Sequence, residues 1–159
     1  MGDAGEADLS VVLSEALPTA QEYIALRDAM GWGRLDEATA RRTLDAAAYT
    51  VCLRDGEAGG GGRLAGLARV MGDGTLYFFL ADLIVAPEAR GGGHGETLMR
   101  AVVDYFDRAA QPNATITLVA MPGREAFYER FGFRRTPDGP FGHGMRYAGD
   151  AKAPPLNRP

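Results

Sequence analysis

Lysine is almost missing. Of seventeen cationic side chains, sixteen are arginine, and Lys152 stands among Ala151, Pro154 and Pro155. Lysine chemistry, Schiff-base or P-loop, has nothing to work with near the body of the chain. Serine occurs only at Ser10 and Ser14, outside any G-x-S-x-G turn, and histidine only at His94 and His143, which leaves a serine hydrolase without its parts. The single cysteine, Cys52, cannot close an internal disulfide, in keeping with a reducing compartment. No histidine or cysteine pair has the spacing of H-E-x-x-H or C-x-x-C, so no metal is expected. An excess of positive charge is also lacking. At a net charge of −4 there is no surplus of cations to displace counterions from a phosphate backbone, and nucleic acid is not an expected partner. No apolar run approaches the roughly 20 residues that cross a bilayer, and residues 1–8 are acidic, so neither membrane insertion nor a leader is expected. The expected location is the cytoplasm.

What is present suits one packed unit. A length of 159 residues with 46% hydrophobic content is enough for a single core. The expected domain spans 1–149, with 1–8 flexible and a disordered Pro-rich tail at 150–159. A β-rich segment lies at 9–13, and Thr19 with Glu22 forms a capping box that opens a helix running to Met30. Asp36 is a good N-cap for a second helix through the alanines to Ala48. Strands follow at 49–54 and 64–71, joined through glycines 59–62. Gly72-Asp73-Gly74 predicts a tight hairpin turn into a central strand at 75–85. Beyond a loop at 87–93 the pattern predicts a helix to about Ala110, a strand at 115–120, a helix at 124–131, and strands near Phe133 and Met145. The order, hairpins first and then β-α-β, predicts an α/β (α+β) fold: a mixed sheet, antiparallel early and parallel in its centre, flanked by about four helices.

The segment from Leu83 through Ile84, Val85, Pro87, Arg90, Gly91, Gly92, Gly93, His94, Gly95 and Glu96 to Leu98 is a buried strand, a glycine-rich turn and the first turn of a helix. Such a helix start leaves backbone N–H groups without partners and carries partial positive charge, so it suits an anion. Arg90 adds a planar cation. Leu98, Met99, Val102, Val103 and Phe106 recur at helical spacing and anchor the helix. A P-loop would need a lysine, and G-x-G-x-x-G from Gly91 fails at Glu96. The residues fit R-x-x-G-x-G (Arg90, Gly93, Gly95) directly after V-x-P (Val85, Pro87). This resembles the pyrophosphate loop of the GNAT superfamily, the acetyl-CoA-dependent N-acetyltransferases. A second block, Phe127 to Phe133, is similar to that family's Y-x-x-x-G-F segment, with Tyr128, Gly132 and Phe133 in place. Trp32 between Gly31 and Gly33, Asp82 to Val85, Asn113 to Leu118, and Gly144-Met145 are similar to plant-type serotonin N-acetyltransferases and their small bacterial relatives.

The resemblance implies a splay between strands 4 and 5 that receives acetyl-CoA. Backbone groups of Leu83, Ile84 and Val85 would face the pantetheine arm and thioester, and residues 91–96 the pyrophosphate. It implies Tyr128 as proton donor to the departing thiolate, Trp32 as a wall for the acceptor, a small-molecule amine as substrate, and leaves room for a homodimer. Met121 stands where relatives carry Asn or Asp, and methionine offers no such hydrogen bond. An alkyl amine of pKa about 10.4 is protonated at pH 7, and freeing its lone pair costs roughly 5 kcal/mol. A base is therefore useful. Asp82, one carboxylate in the apolar run 78–85, is placed where desolvation disfavours its charge and suits it to that work; the alternative is a structural carboxylate that caps a backbone N–H or pairs with an arginine. Glu125 and Glu129 are weaker candidates. Tyr128 and Trp32 read equally as packing aromatics, and His94 and His143 as ordinary helix-start and turn residues. Two functions compete with the enzyme: a non-catalytic acyl-CoA-binding regulator and acetylation of a protein or peptide amine.

Overall fold

Helix α1 (Ala20–Ala29) begins at Thr19, as the T-x-x-E spacing predicts. Thr19 Oγ1 accepts from the Glu22 amide at 3.2 Å, and Glu22 Oε2 accepts from the Thr19 amide at 2.8 Å. Two helix-end N–H groups are thereby satisfied. The same carboxylate receives a forked pair from Arg54, at 2.7 Å and 3.1 Å, which fastens the helix start to strand β2 (Tyr49–Asp55). The Arg54 hydrogen bond holds the Glu22 carboxyl at about 2, against 4.5 for the free group. Between those values the unfolded chain binds more protons than the folded one. The stabilisation is thus complete above pH 4.5 and disappears as the pH falls towards 2. With the Glu22 side chain 31% exposed, screening reduces the contribution to about 2 kcal/mol. Urea unfolding at pH 6 and pH 3 is expected to show somewhat more than half of that loss, and Glu22→Gln to remove most of the difference.

The computed structural model describes residues 11–56 and 61–144. Within the chain there are two compact units, Met1–Val119 and Ala120–Pro159. The first holds a five-stranded sheet in the order β1-β2-β3-β4-β5, with β1 (Val11–Ser14), β3 (Leu64–Gly72), β4 (Tyr77–Val85) and β5 (Thr115–Leu118) beside β2. Neighbours are antiparallel except for the parallel pair β4–β5. Among the described residues the parallel pair stands at one end of the sheet and β3 in its middle, whereas the expectation put the parallel pairing in the centre with 75–85 as the central strand; the strand expected near Met145 lies outside the described residues. Leu9, Ser10, Gly59, Gly60, Met145 and the tail 150–159 lie outside the described residues.

Helix α2 (Glu37–Asp45) starts at Asp36, whose carboxylate accepts from the Thr39 amide at 2.9 Å. It stops three residues short of the expected end, because the Ala48 amide is taken by Val70 O at 2.9 Å and so enters the sheet ladder. The hairpin before β4 is also longer than expected. One oxygen of Asp73 accepts from the amides of Thr75, Leu76 and Tyr77 at 2.8 to 3.1 Å, which holds 75 and 76 in the turn. Helix α3 (His94–Ala109) follows a single 3-10 turn at Pro87–Ala89. On β2, Tyr49 stacks on Tyr105 of α3 at 4.3 Å, and Arg54, five residues on, pairs with Glu22 of α1. Side chains an odd number apart point to opposite faces, so α3 and α1 cover opposite faces of the sheet. The core fills both layers, with Leu98, Met99 and Val102 of α3 and Tyr23 and Leu26 of α1 buried.

In the second unit α4 (Glu125–Glu129) is shorter than the expected 124–131. Phe133, expected in a strand, is not in one: its amide turns back to Tyr128 O at 3.4 Å.

Candidate active site

The decisive local feature is a bulge in β4. Val70 pairs with Leu80 and Arg69 with Asp82, so Ala81 is surplus in the register. A surplus residue shifts the in-out alternation of a strand. Phe78 packs edge-on against Tyr105 and Phe106 of α3, whereas Asp82, of the same parity, turns to the α1 face and accepts from Tyr23 of α1.

Asp82 is 3% exposed. Its Oδ2 takes two short contacts, from the Tyr23 hydroxyl at 2.7 Å and Arg69 Nε at 2.7 Å. Its Oδ1 has Arg27 Nη1 at 3.5 Å. Asp82 is thus paired with arginine, one of the roles that the sequence left open for it. A buried carboxylate needs such partners. Tyr23, fully buried, is raised above its ordinary pKa by desolvation and then by the Asp82 charge. Sequence reasoning missed Tyr23, Arg27 and Arg69. The signal was there for one of them: Arg69 is the lone charge in the apolar stretch 64–71, as Asp82 is in 78–85.

Strand β5 pairs with β4 only from Tyr77 to Leu80, opposite Thr115 to Leu118, while β4 runs on to Val85. Strand β5 ends there, and beyond Leu80 that edge of β4 has no strand beside it among the described residues. In an antiparallel ladder alternate residues direct their N–H and C=O to the same neighbour. The Ala86 amide bonds Ala65 O at 2.8 Å, so Ile84 and Asp82 face β3, and Leu83 and Val85 face the open edge. Of the three predicted backbone groups, those of Leu83 and Val85 are offered there, and Ile84, 0% exposed, is turned inward.

The glycine turn adjoins this edge. Arg90 donates from Nε to Val85 O at 3.4 Å and lies with Nη2 3.1 Å from Met30 Sδ. Gly91 and Gly93 have φ of 92° and 74°, and a Cβ on either would meet nothing within 4 Å. Gly93 caps α3 without a side-chain hydrogen bond, and the first-turn amides of a helix point out of its N-terminal end, where they suit an anion. Glu96 pairs with Arg100 at 2.5 Å. His94 is half-buried, with its ring against Gly92. An open glycine turn, a helix start and a guanidinium fit a diphosphate.

Trp32 is half-buried, and the Arg27 guanidinium lies 5.6 Å from its ring centre. Cys52 is buried, and desolvation pushes its thiol up to about 11, which makes it inert. In the second unit, Tyr128 is half-buried, edge-on to Phe127 at 5.1 Å and to Phe133 at 6.2 Å. Desolvation raises its pKa above the ordinary value, so the hydroxyl keeps its proton. Met121 is 52% exposed, His143 is exposed, and Glu129 pairs with Arg135 at 2.6 Å. Among the described residues no group of three or more His, Cys, Asp or Glu is placed to hold a metal, and no helix is long and apolar enough to cross a membrane.

An open mixed sheet with a glycine turn leading from the end of β4 into α3 is the fold and site shared by a class of α/β proteins. The family model described as the acetyltransferase (GNAT) domain matches residues 32–148, and the chain belongs to that family. It is 34% identical over 77 residues to the N-acetyltransferase ycf52 of Porphyra purpurea, which carries the description uncharacterized. That stretch is 48% of this chain and 43% of the relative, so the chain spans less than half the length of the curated protein it matches. A crystal structure of a Staphylococcus aureus protein of unknown function, described as a probable acetyltransferase, superposes with a TM-score of 0.73 at 28% identity, covering 87% of this chain and all of that one. Arabidopsis thaliana Naa50, in complex with the bisubstrate analogue CoA-Ac-MVNAL, shares the fold at a TM-score of 0.62 and 21% identity, over 80% of this chain and 85% of its own.

Proposed function

We propose that the chain is an N-acetyltransferase that moves an acetyl group from acetyl-CoA to the primary amine of a small molecule, by direct attack in a ternary complex. The observation that carries this reading is the open edge of β4 beyond Leu80, where β5 has ended, leading through the glycine turn into the start of α3. Acetyl-CoA supplies the activated thioester. Amides from Gly91 to Glu96 and Arg90 would hold its diphosphate, and the outward backbone groups of Leu83 and Val85 its pantetheine arm. A backbone N–H at a thioester oxygen gains strength as negative charge develops there.

The ammonium of the acceptor must lose a proton before it attacks. Asp82 is the proposed acceptor of that proton through water, at Oδ1, because Oδ2 already takes both short contacts. Tyr128 is the proposed donor to the departing thiolate, on the family resemblance and on a hydroxyl that burial keeps protonated. A thiolate with a pKa near 8.5 leaves with little help, so Tyr128→Phe is expected to lower kcat by about tenfold to a hundredfold without abolishing it. Full activity in that variant would remove Tyr128 from the reaction. The acceptor class suggested by the narrower sequence likeness is an arylalkylamine. Location in the cytoplasm and a homodimer belong to the same reading.

A second reading, a non-catalytic acyl-CoA-binding regulator, is favoured by exposed Met121 at the position of a polar residue in relatives. Thiol release from acetyl-CoA with a panel of arylalkylamines, polyamines and peptides, run beside calorimetric CoA binding, separates the two. Turnover on an amine supports the enzyme. CoA binding with no turnover on any acceptor supports the regulator, and failure to bind CoA removes both.

A further inference from the structure

We propose that Arg27 is a positioning residue: it straps Trp32 to the bulged part of β4, so that the wall and the open edge keep a fixed spacing. Arg27 lies in the last turn of α1. Its Nη2 donates to Trp32 O at 3.3 Å, the Trp32 amide donates back to Arg27 O at 3.2 Å, and its guanidinium lies 5.6 Å from both the Trp32 and the Tyr23 ring centres. Its Nη1 reaches the Tyr23 hydroxyl at 3.4 Å and Asp82 Oδ1 at 3.5 Å. Among the described residues, the polar and ring contacts of Trp32 all go to Arg27. A planar fork with donors on two sides and faces for two rings performs these tasks together, and an ammonium does not.

The guanidinium is placed for reach more than for its own comfort. Its Nε is buried without a hydrogen-bond partner, an arrangement that folding disfavours and that stands out where most buried donors are satisfied. Turning to satisfy Nε would break one of the two ends. The strap meets β4 at Asp82, two residues past the last pairing with β5. This inference rests on the acetyltransferase reading, in which Trp32 borders the amine and β4 borders the thioester.

Trp32 is the only tryptophan of the chain, so its fluorescence reports the strap without any ligand. In the full-length protein, Arg27→Gln is expected to shift the emission to longer wavelength and to lower its anisotropy, with Arg27→Lys in between. Amine KM in Arg27→Gln is expected to rise about fivefold to tenfold, with kcat changed less and calorimetric CoA affinity unchanged. Should Arg27→Gln fail to fold, Arg27→Lys, which keeps a charge near Asp82, carries the same comparison. Unchanged emission and anisotropy in a folded variant would overturn the strap. Changed emission with unchanged amine KM would overturn its role at the wall. If wild type turns over no amine, the acetyltransferase reading fails, while the emission comparison still decides whether Arg27 holds Trp32.

Discussion

Asp82→Ala is expected to cost about 3–5 kcal/mol of folding stability, the penalty typical of breaking a buried ion pair from one side. The carboxylate is the shared acceptor for Tyr23 and Arg69 at 2.7 Å and the nearest anion to Arg27. Its removal leaves Arg69, itself 7% exposed, facing a void with its charge uncompensated. Urea unfolding at pH 7 would show a midpoint drop with little change in slope. Asp82→Asn is the informative companion. It keeps one oxygen for Tyr23 and Arg69 and should fold, but it removes the proposed proton acceptor, so its kcat is expected to fall while CoA affinity stays level. An alanine variant as stable as wild type would mean that Asp82 is not the keystone of this cluster, and an asparagine variant with unaltered kcat would assign the proton to another group.

The second large effect is expected at Gly93. With φ at 74° this position lies where a β-branched side chain is an outlier, and the left-handed conformation costs an ordinary residue about 1–2 kcal/mol. Gly93→Val relieves that strain by turning the peptide plane, which swings the amides at the head of α3 away from a common point. CoA affinity by calorimetry is therefore expected to fall about tenfold to a hundredfold, with folding stability lowered only by the strain itself. Arg90→Ala should act more mildly and mainly at low ionic strength, since the side chain is exposed. Unchanged CoA affinity in Gly93→Val would show that the turn does not hold the diphosphate.

Features set by neighbours in sequence were readable in advance. The Thr19 and Asp36 caps, the apolar face of α3 and the glycine turn each depend on residues within a few positions of one another, and each is where its spacing predicts. Errors arose where a group outside the repeating pattern competed for an amide. Ala48 left its helix for the distant Val70 O, and the Asp73 side chain held Thr75 and Leu76 in the turn, out of the strand they were expected to join. The site was half legible for the same reason. Arg90, Gly91 and Gly93 form a local motif, whereas Tyr23, Arg27 and Arg69 meet Asp82 only because two strands pair out of step. Period-2 counting through 78–85 puts Asp82 on the face of Phe78, and nothing in that stretch announces the surplus residue.

That surplus residue gives β4 an unusual sensitivity to length. Replacing Ala81 by another small residue leaves the two halves of the strand on their present sides, but removing it would transpose everything from Asp82 to Val85. An anion would then enter the aliphatic layer beneath α3, and hydrocarbon would confront the two guanidiniums. Descendants of this chain are thus freer to change side chains along the strand than to add or drop one, and the count from Tyr77 to Val85 is constrained more tightly than its spelling.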